Sequence, residues 1–126
     1  MKPEEIEEIE KYEREQAGKN AGLVRFRRKS PDSASAFLNF WRTVNKPGSL
    51  DRKTKELIAL AITLVANCKP CVIKHTKLAL EAGCTEEEIM EAASIALAMG
   101  GAIVYEYIGY MMEALEYYGK KGGERI

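Results

Sequence analysis

Apolar residues recur at three- and four-residue spacing through almost the whole chain, and no stretch sustains an alternation of apolar and polar residues. The first spacing places side chains on one face of an α-helix, whereas sustained alternation indicates a β-strand. The segment KTKELIALAITLVA, residues 53–66, is apolar nearly all the way round, so we expect it to be a central, buried helix. The sequence therefore predicts an all-α fold, a bundle of about six helices.

The N-terminal third of the chain is predicted to hold two helices joined by a connection. Residues 3–16 carry a thin apolar stripe, which suits a helix on the surface or against a partner subunit. Residues 17–29 contain two glycines and five basic residues without an acidic one, and we expect them to form the connection. The next helix ends at Pro47, and Trp41 on its apolar face is expected in the core.

Residues that begin and end helices mark the rest of the chain. Asp51 can cap the start of the central helix, and Pro70 suits the first turn of the helix that follows. Gly83 is a typical residue for the end of that helix. Thr85 and Glu88 have the spacing of a capping box, in which each side chain binds the other residue's backbone N–H.

Length and charge limit the classes of protein to which the chain can belong. A chain of 126 residues suits one core, so we predict a single helical domain over residues 1–126, with an N-terminal helix and connection in residues 1–35. Nineteen acidic and nineteen basic residues balance, which leaves no net charge to attract nucleic acid. We therefore expect no nucleic-acid partner.

The sequence also predicts a cytoplasmic protein that does not bind or span a membrane. The longest nearly apolar run, residues 57–66, has about half of the roughly 20 residues that a transmembrane helix needs. The first residues are acidic and do not resemble a secretory signal. In the cytoplasm, a close pair of cysteines is more often catalytic, redox-sensing or metal-binding than a permanent structural disulfide.

Two of the three cysteines and the single histidine lie within eight consecutive positions: Cys68, Cys71 and His75. On a helix these positions share a face, and residues three apart lie roughly 5 to 6 Å apart, within reach of a disulfide. Amide N–H groups at a helix start favour a thiolate, which makes Cys68 a candidate nucleophile. His75 can exchange a proton with the thiol of Cys71.

Glu56 is the remaining candidate site residue. It stands at the start of the apolar helix, where a carboxylate is costly to bury unless a neighbouring group accepts its charge. His75 is the candidate partner, and a carboxylate that orients a histidine beside a thiol is a known way to activate a nucleophile.

These residues, Glu56 followed by Cys68-x-x-Cys71-x-x-x-His75, resemble the alkylhydroperoxidase D-like branch of the carboxymuconolactone decarboxylase family over about residues 37–115, and we place the corresponding core at residues 36–118. The resemblance implies an all-helical subunit, a homo-oligomer such as a trimer or hexamer, and a redox-active cysteine pair. It also implies a Glu56–His75 proton relay that serves Cys71, with Cys68 closing the disulfide.

The resemblance has two departures. Members of the family that are decarboxylases lack the cysteine pair, so decarboxylation is not expected of this chain. The alkylhydroperoxidase pattern has a histidine immediately before the second cysteine, where this chain has Pro70. The order of attack stays open, because the resemblance favours Cys71 as the peroxide-reactive thiol and helix-end electrostatics favour Cys68.

The predicted function is therefore a thiol-disulfide oxidoreductase or alkylhydroperoxidase-like antioxidant protein, with a peroxide or disulfide as substrate and a protein or small-molecule thiol as reductant. No cofactor or metal is expected. One alternative is a non-catalytic oligomeric module that binds zinc through the two thiolates, His75 and Glu56, or senses redox state. Another is that both cysteines are small core hydrophobes.

Overall fold

A computed structural model of the chain describes the backbone of residues 1–124 and the side chains of residues 1–119. Over these residues the chain forms six α-helices and no strand, so the prediction of an all-α fold is confirmed. The helices are α1 (Pro3–Lys29), α2 (Pro31–Asn45), α3 (Arg52–Val65), α4 (Lys69–Glu81), α5 (Glu86–Gly100) and α6 (Ala102–Glu124). Within the same residues, none of the helices is both long and apolar enough to cross a membrane.

Helix α1 is continuous from Pro3 to Lys29, so the connection expected at residues 17–29 is wrong. A glycine inside a helix costs about 1 kcal/mol relative to alanine, which weakens a helix without requiring it to end. The basic residues of this segment favour the helix, because Arg27, Arg28 and Lys29 lie in its last turn, where the helix dipole attracts positive charge.

The predicted helix starts are confirmed at α3, α4 and α5. The Asp51 side chain accepts a hydrogen bond from the Thr54 N–H at 2.8 Å, and hydrogen bonds with the Thr54 side chain and backbone lower the pKa of Asp51. Thr85 and Glu88 form the expected capping box, with bonds of 2.8 and 3.1 Å. Pro70 lies in the first turn of α4, where its missing N–H removes no helical bond.

Helices α3 and α4 lie at the centre of the fold. Helix α3 packs mainly on α4 and α5, and α4 packs on α6. The core between them is apolar and fully inaccessible at its largest side chains, Leu60, Leu64, Val72, Ile89, Val104 and Met111. The N-terminal half of α1 adds a second cluster, in which Ile9 and Tyr12 are buried with Ile73 and Ala114.

The single chain leaves apolar faces of α2 and α3 uncovered. On α3, Leu60 and Leu64 are buried, but Ile58, Ile62 and Val65 are exposed, Ile62 by 62%. The expectation that the whole of this helix is buried is therefore wrong for one chain. Trp41 on α2 is 43% exposed, so its expected place in the core is wrong as well. An apolar helix face indicates that a partner is needed, but it does not say whether that partner belongs to the same chain.

Candidate functional site

The turn between α3 and α4 places the first cysteine. Asn67 has a φ of +56°, in the left-handed region that asparagine tolerates better than most residues. Its N–H donates to the Leu64 carbonyl at 3.3 Å, and the Cys68 N–H donates to the Thr63 carbonyl at 3.4 Å. This pair of bonds is a Schellman motif, which ends α3 and reverses the chain. Cys68 thereby becomes the N-cap residue of α4.

Cys68 and Cys71 form a disulfide across the first turn of α4. Their Cα atoms lie 5.2 Å apart, which is within the usual range for such a bond. Both residues are half-buried, so the pair is neither sealed in the core nor fully open to solvent. The Cys68 side chain makes no capping hydrogen bond, but the start of a helix is a position where the helix dipole favours negative charge.

His75 lies one helical turn after Cys71 and contacts Glu56 of α3. The distance from His75 Nδ1 to Glu56 Oε2 is 3.2 Å, and both residues are only 8% exposed. With Glu56 ionised and His75 neutral, Nδ1 donates this hydrogen bond and the lone pair of the imidazole lies on Nε2. Within the described residues, no buried side-chain nitrogen or oxygen lacks a hydrogen-bond partner.

Lys69, between the two cysteines, is a residue that sequence reasoning missed. Its ammonium donates to Glu8 Oε2 of α1 at 2.7 Å and lies 4.6 Å from the centre of the Tyr110 ring of α6. The hydrogen bond raises the pKa of Lys69 and lowers that of Glu8. Glu8 and Lys69 are 61 positions apart, so no local pattern could have paired them.

The third cysteine has a structural environment. Cys84 is buried, belongs to the core with Ile89, and its thiol donates weakly to the Lys53 carbonyl at 3.6 Å. Burial raises the pKa of Cys84, which disfavours its thiolate. In the part of the chain that the structure describes, no group of three or more His, Cys, Asp and Glu side chains is placed to hold a metal ion.

Comparison with known proteins places the site within a family. A family model described as "Carboxymuconolactone decarboxylase family" matches residues 31–107, a span that contains the cysteine pair, His75 and Glu56. The chain belongs to the carboxymuconolactone decarboxylase family. The resemblance noted from the sequence is thereby confirmed at the level of the family.

Two solved structures of family members or relatives share the fold. A carboxymuconolactone decarboxylase family protein from Legionella pneumophila superposes with a TM-score of 0.79 at 30% identity, over 86% of this chain and 96% of that one. A family protein from Thermotoga maritima, for which a part in an antioxidative response has been suggested, gives a TM-score of 0.61 at 34% identity, over 80% and 95% of the two chains.

Similar sequences include one of unassigned function and one named enzyme. An uncharacterized protein of the cox locus of Paracoccus denitrificans is 37% identical over 64% of this chain and 73% of its own length. An alkyl hydroperoxide reductase AhpD from Corynebacterium kroppenstedtii is 36% identical over 46% of this chain, and the matched region spans 33% of that enzyme.

Proposed function

We propose that this member of the carboxymuconolactone decarboxylase family is a thiol-disulfide oxidoreductase that reduces peroxides or external disulfides. The observation that carries the proposal is the Cys68–Cys71 disulfide at the start of α4, on the helix that also holds His75. The similarity to an alkyl hydroperoxide reductase and to a protein for which a part in an antioxidative response has been suggested supports the same chemistry.

The reaction cycle starts from the reduced pair. With a peroxide, one thiolate attacks the O–O bond, releases an alcohol and becomes a sulfenic acid. The second thiol then condenses with the sulfenic acid, so that two thiols and one peroxide give the disulfide, one alcohol and one water. With an external disulfide, the attack gives a mixed disulfide that the second thiol displaces. A protein or small-molecule thiol reduces the pair again, and a reducing compartment such as the cytoplasm suits this step.

In this proposal, His75 and Glu56 handle the proton. Nε2 of His75 takes the proton of the attacking thiol and returns it to the leaving oxygen or sulfur. Glu56 holds the imidazole through the 3.2 Å contact and stabilises its positive charge after proton transfer. Cys71 lies one turn from His75, whereas Cys68 is the N-cap residue of α4. The two positions favour different thiols as the one that attacks first, so an experiment has to assign the first attack.

We also propose that the protein works as a homo-oligomer, a trimer or a hexamer. The exposed apolar residues of α3 continue onto α5, where Ile95 lines the same groove as Ile58 and Ile62. Phe37, Phe40 and Trp41 of α2 expose a further apolar surface. Contiguous apolar surface of this kind is typical of subunit contacts.

Turnover by cysteine variants tests the proposed reaction. The wild type should consume alkyl hydroperoxide or a small disulfide in the presence of a thiol reductant, and mass mapping should locate the new bond between residues 68 and 71. Cys68→Ser and Cys71→Ser should each abolish turnover, and the variant that still forms a sulfenic acid or mixed disulfide retains the attacking thiol. Cys84→Ser is the matched control and should keep turnover.

Two results would contradict the proposal. One is unchanged turnover in the variant that lacks both Cys68 and Cys71. The other is stoichiometric zinc that resists dialysis, with neither thiol titratable until the metal is chelated, which would identify the zinc-binding module instead.

A further inference from the structure

Helix α1 contacts the residue next to Cys68 through an ion pair. Lys69 follows Cys68 directly and forms the first residue of α4, and its ammonium is held by Glu8 of α1 at 2.7 Å. The same ammonium lies over the ring of Tyr110 on α6, 4.6 Å from the ring centre. Two elements far from the motif in sequence thus fix the position and the charge of the residue that directly follows Cys68.

The charges of this pair act on the thiolate in opposite directions. A lysine ammonium near a cysteine stabilises its thiolate and lowers the pKa of the thiol, whereas a nearby carboxylate raises it. A unit charge about 8 Å away in a water-like dielectric shifts a pKa by about 0.4 units. Glu8 therefore cancels part of the effect that Lys69 alone would have on the reduced pair.

We propose that Glu8 and Lys69 are positioning residues that set how oxidising the Cys68–Cys71 pair is, with Glu8 restraining the effect of Lys69. The inference rests on the proposed function, since it requires a reversible disulfide. Reduction by a dithiol transfers two electrons and two protons, breaks the Cys68–Cys71 bond and closes the disulfide of the reductant. A more stable thiolate favours the reduced protein, so it makes the disulfide the stronger oxidant.

Other charged and titratable groups face Lys69 and have to be held constant. Glu113 and Tyr110 of α6 both act on its charge, and burial together with Glu5 raises the pKa of Glu113. Lys11 of α1 lies beside Glu8. All variants are therefore compared at one pH and one ionic strength, so that these groups contribute equally in every variant.

The test measures two quantities, the pKa of the more acidic thiol from thiolate absorbance and the equilibrium constant for reduction by dithiothreitol at pH 7. Glu8→Gln should lower the thiol pKa by about 0.4 units and raise the constant by up to about 2.5-fold. Lys69→Gln should shift both quantities in the opposite direction. The double variant, Glu8→Gln with Lys69→Gln, should return close to the wild type because both charges are removed.

Two further variants distinguish an electrostatic effect of the ion pair from a purely structural role in attaching α1. Glu8→Lys combined with Lys69→Glu keeps an ion pair but puts the negative charge on the residue next to Cys68, so the thiol pKa should rise above that of the wild type. Glu13→Gln is the matched control, because Glu13 binds Lys77 at 3.6 Å and joins α1 to α4 two turns farther along. It should leave both quantities unchanged.

Three results would overturn the inference, each with a different meaning for the proposed function. If Glu8→Gln and Lys69→Gln shift both quantities in the same direction and the charge exchange restores the wild type, the pair is only a structural link. If no variant differs from a wild type that cycles reversibly, the inference fails and the proposed function stands. If the wild-type disulfide cannot be reduced and reformed at all, both fail.

Discussion

At the scale of single residues, the candidate site combines local spacing with one contact between helices. The positions of Cys68, Cys71 and His75 on one helix follow from the sequence, because residues at this spacing share a helix face. The contact between Glu56 and His75 joins two helices and could be suspected only from the cost of burying a carboxylate. Because Glu56 contacts Nδ1, Nε2 is the ring nitrogen to which the proposed mechanism assigns the role of base.

Replacing His75 should produce a loss that depends on pH. His75→Ala should slow the reaction of the reduced pair with peroxide by about 100-fold near pH 7, because no base is left to take the proton of the thiol. At pH 9 the loss should be much smaller, since an ordinary cysteine thiol with a pKa near 8.5 ionises unaided there. Stopped-flow rates of thiol oxidation at the two pH values check this expectation.

The control for this prediction is Lys74→Ala, an exposed residue on the same helix. It should leave both rates close to those of the wild type. Equal slowing of His75→Ala at pH 7 and pH 9 would remove His75 from the role of base and leave it a structural role.

At the scale of elements, α1 shows how a weakly amphipathic helix becomes part of the fold. Its thin stripe is buried where Ile9 and Tyr12 meet α4 and α6. Around that contact lie polar interactions, since Glu13 accepts a hydrogen bond from the Tyr118 hydroxyl and forms an ion pair with Lys77. The contact is therefore partly polar and should respond to pH.

The docking of α1 should weaken in alkaline solution. Burial raises the pKa of Tyr12 to about 12, and burial together with Glu13 raises the pKa of Tyr118. A phenol with a raised pKa holds its proton more tightly in the folded than in the unfolded protein. Its contribution to stability is therefore complete below about pH 10 and is lost as the pH rises toward 12.

Urea unfolding at pH 9 and pH 11 checks this prediction. The free energy of unfolding of the wild type should fall between the two pH values, and Tyr12→Phe should reduce that fall by about 1 kcal/mol, since it removes the ionisable hydroxyl. Tyr105→Phe, at a tyrosine that is 67% exposed, is the control and should keep the fall of the wild type. An identical pH dependence in Tyr12→Phe and the wild type would contradict the assignment.

At the scale of the whole molecule, the main feature that a single chain does not explain is its exposed apolar surface. The groove between α3 and α5 is lined by Ile58, Ile62 and Ile95, and α2 adds exposed aromatic residues. A second copy that covers these faces would bury the residues that the sequence pattern marks as core. The proposed homo-oligomer follows from this mismatch between apolar pattern and burial.

A charge placed in the groove should break the assembly. Ile62→Lys should shift the protein from the proposed trimer or hexamer toward smaller species in sedimentation velocity at micromolar concentration, because an unpaired ammonium is costly to bury. Helical circular dichroism should be retained, since Ile62 is 62% exposed in the single chain. Glu10→Lys, on the exposed side of α1, should keep the wild-type assembly, and a monomeric wild type would contradict the proposal.

Much of the fold could be predicted because its causes are local. The all-α class, the N-cap Asp51 and the capping box of Thr85 and Glu88 depend on residues within a turn or two of one another. The prediction of a connection in residues 17–29 failed because helix formation is cooperative, and the two glycines did not end the helix. The prediction that Trp41 lies in the core failed for another reason: the hydrophobicity of a residue does not identify the surface that covers it.

By itself, the sequence determined the helical class of the fold, the start of α4 and the presence of two cysteines and a histidine on one face of that helix. Each of these follows from the 3.6-residue period and from capping within one turn. Only the tertiary structure decided that α1 is one helix docked on α4 and α6, that Glu8 holds Lys69, and which apolar faces stay open. Those features join residues far apart in the chain, and packing in three dimensions, which no short pattern encodes, brings them together.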